Sequence, residues 1–176
     1  MILLIITGYS GAGKSTLSFK YAKEHDFALI IQDHFLFKMN PASLKTKSPK
    51  RFAHEITRKN ILSCMENYMQ SGKEILLEGA LVSISEGDPI DIVDFIDLAK
   101  QYNYKPILIT LVADDKVRKK RQLKRGNTLK PQTDRKLVDA ANKRNIIIDN
   151  SYKIDTSKLS IKKSLEEIER VIVISR

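Results

Sequence analysis

The chain has 176 residues, 42% of them hydrophobic, and its 31 Lys and Arg against 21 Asp and Glu give a formal net charge of +10. That is enough for one well-buried core and too little for two comfortable domains, so a single domain over residues 1–176 is expected. The lone cysteine, Cys64, excludes a disulfide scaffold, and no stretch approaches the roughly twenty apolar residues of a membrane span, so the expected setting is a reducing cytoplasm with no membrane partner.

The N-terminal apolar run is too short, and lacks the basic residues, for a signal peptide. Ile2–Thr7 reads instead as a β-strand that leads directly into Gly8-Tyr9-Ser10-Gly11-Ala12-Gly13-Lys14-Ser15-Thr16, a complete G-x-x-x-x-G-K-[ST] phosphate-binding loop. Its glycines let the backbone curl so that N–H groups face inward, Lys14 adds a point charge at the β and γ oxygens, and the Ser15 hydroxyl is a Mg²⁺ ligand. Gly8, Ser10, Gly11, Ala12, Gly13, Lys14, Ser15 and Thr16 are therefore the predicted nucleotide contacts. An amphipathic helix follows over 14–24, with Leu17, Tyr21 and Ala22 opposite Lys20, Lys23 and Glu24.

The second strand, Phe27–Gln32, ends at Asp33 and His34. Ligands in an open α/β sheet gather beyond the carboxyl ends of the strands, which makes Asp33 the candidate general base for an attacking hydroxyl, with His34 a weaker substrate contact. The proline-bracketed segment Met39–Pro49 reads as a substrate-side loop. A helix is predicted over 50–71, with Cys64 in a packing role.

The third strand, Glu74–Glu78, closes an apolar run with an acid. Glu78 is the second candidate Mg²⁺ ligand, and Gly79 permits close backbone approach. Glu86, Asp88, Asp91, Asp94 and Asp97 complement the start of a helix over 89–102 or face solvent. Lys105–Val112 is the fourth strand. In the following helix, 114–125, the residues Arg118, Arg121 and Arg125 share one face that ends at Gly126, as expected for a lid (about 114–133) whose guanidinium groups meet phosphate. Helices over 134–146 and 160–174, with a weaker strand at Tyr152–Asp155 between them, complete the plan. The expected fold is a three-layer α/β domain, with a five-stranded parallel sheet covered by helices on both faces.

Basic residues cluster between Asp114 and Arg144 and again between Lys38 and Lys59, a distribution that attracts polyanions in a salt-dependent way. The loop Gly8–Thr16, Asp33 at its strand end, and the stretch from Phe95–Tyr102 through Arg121-Gln122-Leu123-Lys124-Arg125-Gly126 resemble the P-loop kinases of the polynucleotide 5′-hydroxyl kinase group. These kinases are in turn similar to the zeta-toxin and chloramphenicol phosphotransferase kinases, and the likeness covers about residues 1–131.

The resemblance implies ATP and Mg²⁺ at Lys14 and Ser15, Asp33 as base, and Arg121 and Arg125 as lid arginines. Ile154-Asp155-Thr156-Ser157 resembles the adenine-side loop of such kinases. Two positions depart from the pattern. Leu36 stands where polynucleotide kinases usually carry an acceptor-binding arginine, leaving Lys38, Arg51 or Arg58 for that task, and Glu78-Gly79 is closer to small-molecule and nucleoside kinases. The absence of an N-K-x-D run favours adenine over guanine.

The leading expectation is an ATP-dependent kinase acting on the 5′-hydroxyl of DNA or RNA. The alternatives are a small-molecule, nucleoside or nucleotide kinase, and an ATP-binding switch or assembly factor.

Overall fold

The computed structural model describes residues 1–39, 51–81, 92–124 and 151–176. In chain order the elements are β1 (Ile2–Gly8), α1 (Lys14–His25), β2 (Ala28–Ile31), a π-helical turn (His34–Lys38), α2 (Arg51–Gln70), β3 (Ile75–Glu78), α3 (Ile92–Gln101), β4 (Lys105–Val112), α4 (Asp115–Leu123), β5 (Ser151–Asp155) and α5 (Ile161–Ser175). The loop 40–49, the acids Glu86, Asp88 and Asp91, Arg125 with Gly126, the basic residues from Lys130 to Arg144, and the helix expected at 134–146 lie outside the described residues.

All five strands are parallel, in the order β2-β3-β1-β4-β5. β1 is central and buried along its whole length, which its unbroken apolar sequence demands. Because side chains alternate across a strand, the sheet divides its apolar residues between two cores. Leu3, Ile5, Ile30, Ile75, Leu77 and Leu108 meet Ile61, Met65 and Met69 of α2 and Phe95, Ile96 and Ala99 of α3. On the other face, Leu4, Ile6, Leu76, Ile107 and Ile109 meet Leu17, Tyr21 and Ala22 of α1 and Ile168, Val171 and Ile172 of α5.

Cys64 packs, half-buried, against the first core, and burial raises its thiol pKa above the ordinary value. None of the described helices is long and apolar enough to cross a membrane.

Chain direction reverses at β1. The chain leaves it for β2 on one side of the sheet, and later passes from β3 across to β4 on the other. Such a switch point opens a crevice beyond the strand ends, and here the Gly8–Thr16 loop fills its mouth.

Among the described residues, two buried hydroxyls work against the packing, those of Ser18 on α1 and Thr57 on α2. The Thr57 hydroxyl on α2 is fully buried, with no hydrogen-bond partner. An unsatisfied buried hydroxyl costs about 1–3 kcal/mol. Thr57→Val, which keeps the shape and removes the hydroxyl, is therefore expected to raise the melting temperature by about 3 °C. A lower melting temperature would show that the hydroxyl is satisfied.

Candidate active site

Three backbone positions in the loop adopt positive φ: Gly8 at 132°, Gly11 at 81° and Gly13 at 105°. Close packing adds a second reason for glycine at two of them. A Cβ on Gly8 would lie 2.0 Å from the Leu111 carbonyl oxygen, and one on Gly11 would lie 3.0 Å from that of Arg118. Gly13 caps α1 from the left-handed region without a side-chain bond, so the helix turns its first-turn N–H groups and positive dipole end to the loop's interior. Within the loop, Ala12 N–H closes a turn on the Tyr9 carbonyl at 3.1 Å. The Lys14 ammonium donates to the carbonyls of Gly8 at 2.8 Å and Tyr9 at 3.3 Å. Ser15 is exposed at the start of α1.

The acids lie across the crevice. Glu78 ends β3 in register with Ile6 of β1 and Ile31 of β2, and is only 4% exposed. The chain beyond it is fixed on three sides. Gly79 N–H donates to Ile6 O at 3.2 Å, the Thr7 hydroxyl to Ala80 O at 3.1 Å, and Leu81 N–H to the buried Gln32 Oε1 at 2.9 Å. Leu81 is held at φ 50°, a conformation that costs a branched residue about 1 kcal/mol or more. Gln32 also crowds Gly79, where a Cβ would come within 2.3 Å of its Oε1.

Asp33 is exposed at the entry to the π-helical turn, and its carboxylate caps no backbone N–H of that turn. Turns of this type are rare and concentrate at functional sites. The turn was not legible in the sequence. It aims Leu36 inward, 4% exposed, while Asp33 and His34 stay at the surface.

On the other side of the loop, the arginine face expected to lie over phosphate meets the loop's backbone. Arg118 is buried, donates from Nε to Ser10 O at 2.9 Å and from Nη1 to Asp115 at 3.1 Å, and sets its guanidinium 4.4 Å from the centre of the Tyr9 ring. Arg121 donates to Gly11 O at 3.3 Å and, twice, to Thr156, at Oγ1 (3.0 Å) and the carbonyl (2.8 Å). α4 takes this position because β4 lies beside β1, so the helix that follows β4 begins behind the loop that follows β1.

Two residues in this region escaped the sequence reading. Gln122 donates to Ser10 O at 3.0 Å, and its place one turn after Arg118 was the available signal. Thr156, noted only as part of a base-side loop, donates its hydroxyl to Ala12 O at 2.7 Å.

The segment after β5 borders a cleft of about 270 Å³ that runs up to Ala12 and Gly13. Leu17, Leu159 and Ile161 give it apolar walls, with Arg121, Thr156 and Ser164 at polar positions. Those dimensions and that lining suit a flat heterocycle beside the phosphate loop. The segment's own turn is tied down by Asp155, which accepts from the Ser157 hydroxyl and backbone at 2.5 and 2.8 Å; these bonds lower the Asp155 pKa.

An AAA domain model matches residues 3–145, most of the chain. The chain belongs to the AAA domain family. No curated protein sequence matches it. Solved structures share the architecture of this AAA domain across its whole length. A gluconokinase from Sinorhizobium meliloti 1021 is 13% identical with a TM-score of 0.66, covering 99% of this chain and 93% of that one. A sugar kinase from Janibacter sp. HTCC2649 is 15% identical with a TM-score of 0.62, covering 99% and 96%. A shikimate kinase from Acinetobacter baumannii, solved with shikimate, is 17% identical with a TM-score of 0.60, covering 100% and 95%. The fold is the α/β P-loop kinase fold, with the five-stranded parallel sheet expected from the sequence.

Proposed function

We propose that the chain is an ATP-dependent phosphotransferase that moves the γ-phosphoryl group to a hydroxyl of a small molecule. It would act as one domain over residues 1–176, with a lid at about 114–133, in a reducing cytoplasm. The observation that carries the choice of acceptor is Leu36. It occupies the position where a polynucleotide kinase would present an arginine to its acceptor, and it points into the core at 4% exposure.

Among the described residues, some of the basic side chains already have partners. Arg58 pairs with Asp94 and Lys59 with Glu55, each at 3.3 Å, while Arg118 and Arg121 are occupied with loop carbonyls. Kinases of gluconate, of a sugar and of shikimate spread this fold over nearly the same length, which supports a compact acceptor.

In this reading the inward N–H groups of Gly8–Thr16 and the Lys14 charge hold the β- and γ-phosphates, and the cleft beside Thr156 takes the base. Ser15 and Glu78 offer a hydroxyl and a carboxylate, the hard oxygen ligands that suit Mg²⁺ alongside phosphate. Bound there, the ion neutralises charge on the triphosphate. Asp33 accepts the proton of the attacking hydroxyl, and Arg125, with Arg121 where it is released from Thr156, answers charge on the moving phosphoryl group.

The test is transfer of label from γ-labelled ATP to a panel of sugars, sugar acids, hydroxy acids, nucleosides and aminoglycosides, together with 5′-hydroxyl DNA and RNA oligonucleotides, over a range of salt. Transfer to a small acceptor that depends on Asp33 and is insensitive to salt is the expected result. Transfer to the oligonucleotides that falls steeply with salt would overturn the acceptor assignment in favour of nucleic acid. Retained ATP binding with no transfer to any acceptor would favour a nucleotide-dependent switch.

A further inference from the structure

Three successive carbonyls of the phosphate loop are each held from behind by a side chain. Ser10 O accepts from both Arg118 Nε and Gln122 Nε2, Gly11 O from Arg121, and Ala12 O from Thr156. The donors come from two elements far away in sequence, α4 and the residue after β5, and Arg118, Gln122 and Thr156 are all buried. Buried donors of this kind are set by packing rather than by solvent.

A trans peptide plane carries its C=O and the next N–H on opposite sides, so anchoring one carbonyl outward turns the following N–H inward. The bonds to Ser10 and Ala12 thus direct the N–H groups of Gly11 and Gly13 toward the loop's interior. The N–H of Ala12 is already committed to Tyr9.

We infer that Gln122, together with Arg118, is a positioning residue of the phosphate site: the pair clamps the Ser10 carbonyl and so presets the loop's inward N–H groups for polyphosphate without touching it. The inference rests on the proposed use of ATP. Two donors on one carbonyl leave Ser10 little freedom to rotate, and the i, i+4 spacing puts both on one face of α4. Preset N–H groups bind charge without first reorganising, which is where such a clamp acts on affinity. Gln122 does not line the base-side cleft, which Thr156 and Arg121 border instead.

The experiment compares Gln122→Met, which keeps length and shape but removes the donor, with Gln122→Lys, which restores a donor of similar reach. Affinities for a non-hydrolysable ATP analogue with Mg²⁺ and for adenosine alone are measured by calorimetry, alongside thermal melting. Gln122→Met is expected to weaken the analogue by about tenfold, the worth of one good hydrogen bond, and to leave adenosine unchanged. Gln122→Lys should recover most of the loss. Unchanged analogue affinity, or equal losses for analogue and adenosine, would overturn the clamp.

Should Gln122→Met fail to fold, Arg118→Met removes the other donor to the same carbonyl and must show the same separation between analogue and adenosine. A wild-type protein that binds no ATP analogue would instead remove the nucleotide reading itself, and the clamp with it.

Discussion

Lys14→Met is expected to lower phosphoryl transfer from ATP by about a hundredfold to a thousandfold, the range for losing one preorganised donor at a site of developing charge. The ammonium lies within the ring of the loop, 2.8 Å from Gly8 O and 3.3 Å from Tyr9 O. It therefore stands beside the same inward N–H groups that would meet the triphosphate. Methionine preserves the length and the apolar stem, so the loss is one of charge and of two bonds to carbonyls.

Those bonds stabilise the loop by about 1 kcal/mol each, so the melting temperature should fall by only a few degrees. Release of label from γ-labelled ATP, to acceptor or to water, measures the effect. Wild-type rates in Lys14→Met would contradict a phosphate-binding role for the loop.

The loop was legible because its chemistry is local. Gly8, Gly11 and Gly13 all sit at positive φ, and the motif announces Gly8 and Gly13 at fixed offsets. The central strands were legible because burial on both faces writes a continuous apolar run. Ile2–Ile6 and Ile107–Leu111 fall inside β1 and β4, and even the weaker run at Tyr152–Asp155 is β5.

What the sequence concealed depends on partners distant along the chain. Gln122 meets Ser10 across 112 positions and Thr156 meets Ala12 across 144, and nothing near either residue records the bond. The arginine face shows the same limit. Helical spacing placed Arg118 and Arg121 together, but only the adjacency of β4 to β1 decides that the face meets loop carbonyls. The turn at His34–Lys38 follows from packing as well, since it brings Leu36 into the core. Gln32, read only as the last residue of a strand, proves to hold Leu81 in its left-handed conformation.

Asp33→Asn and Asp33→Ala are each expected to cut transfer by about 10²–10⁴-fold, the contribution of a positioned general base. Asp at a strand end often caps the turn that follows, and in that role its loss would destabilise the protein and slow the reaction only indirectly. The structure separates the two roles. Asp33 has helical φ and ψ of −62° and −24°, its side chain makes no capping bond, and it is exposed. Both variants should therefore melt with the wild type and bind ATP as tightly.

The asparagine variant sharpens the test. Its amide still accepts a hydrogen bond from an acceptor hydroxyl, so it can orient the nucleophile, but it cannot take the proton. If Asn retains most of the activity that Ala loses, orientation rather than proton transfer is the contribution of Asp33. If both fall together with ATP affinity intact, the carboxylate is the base. A parallel loss of ATP affinity would move Asp33 from the acceptor side of the crevice to the nucleotide side.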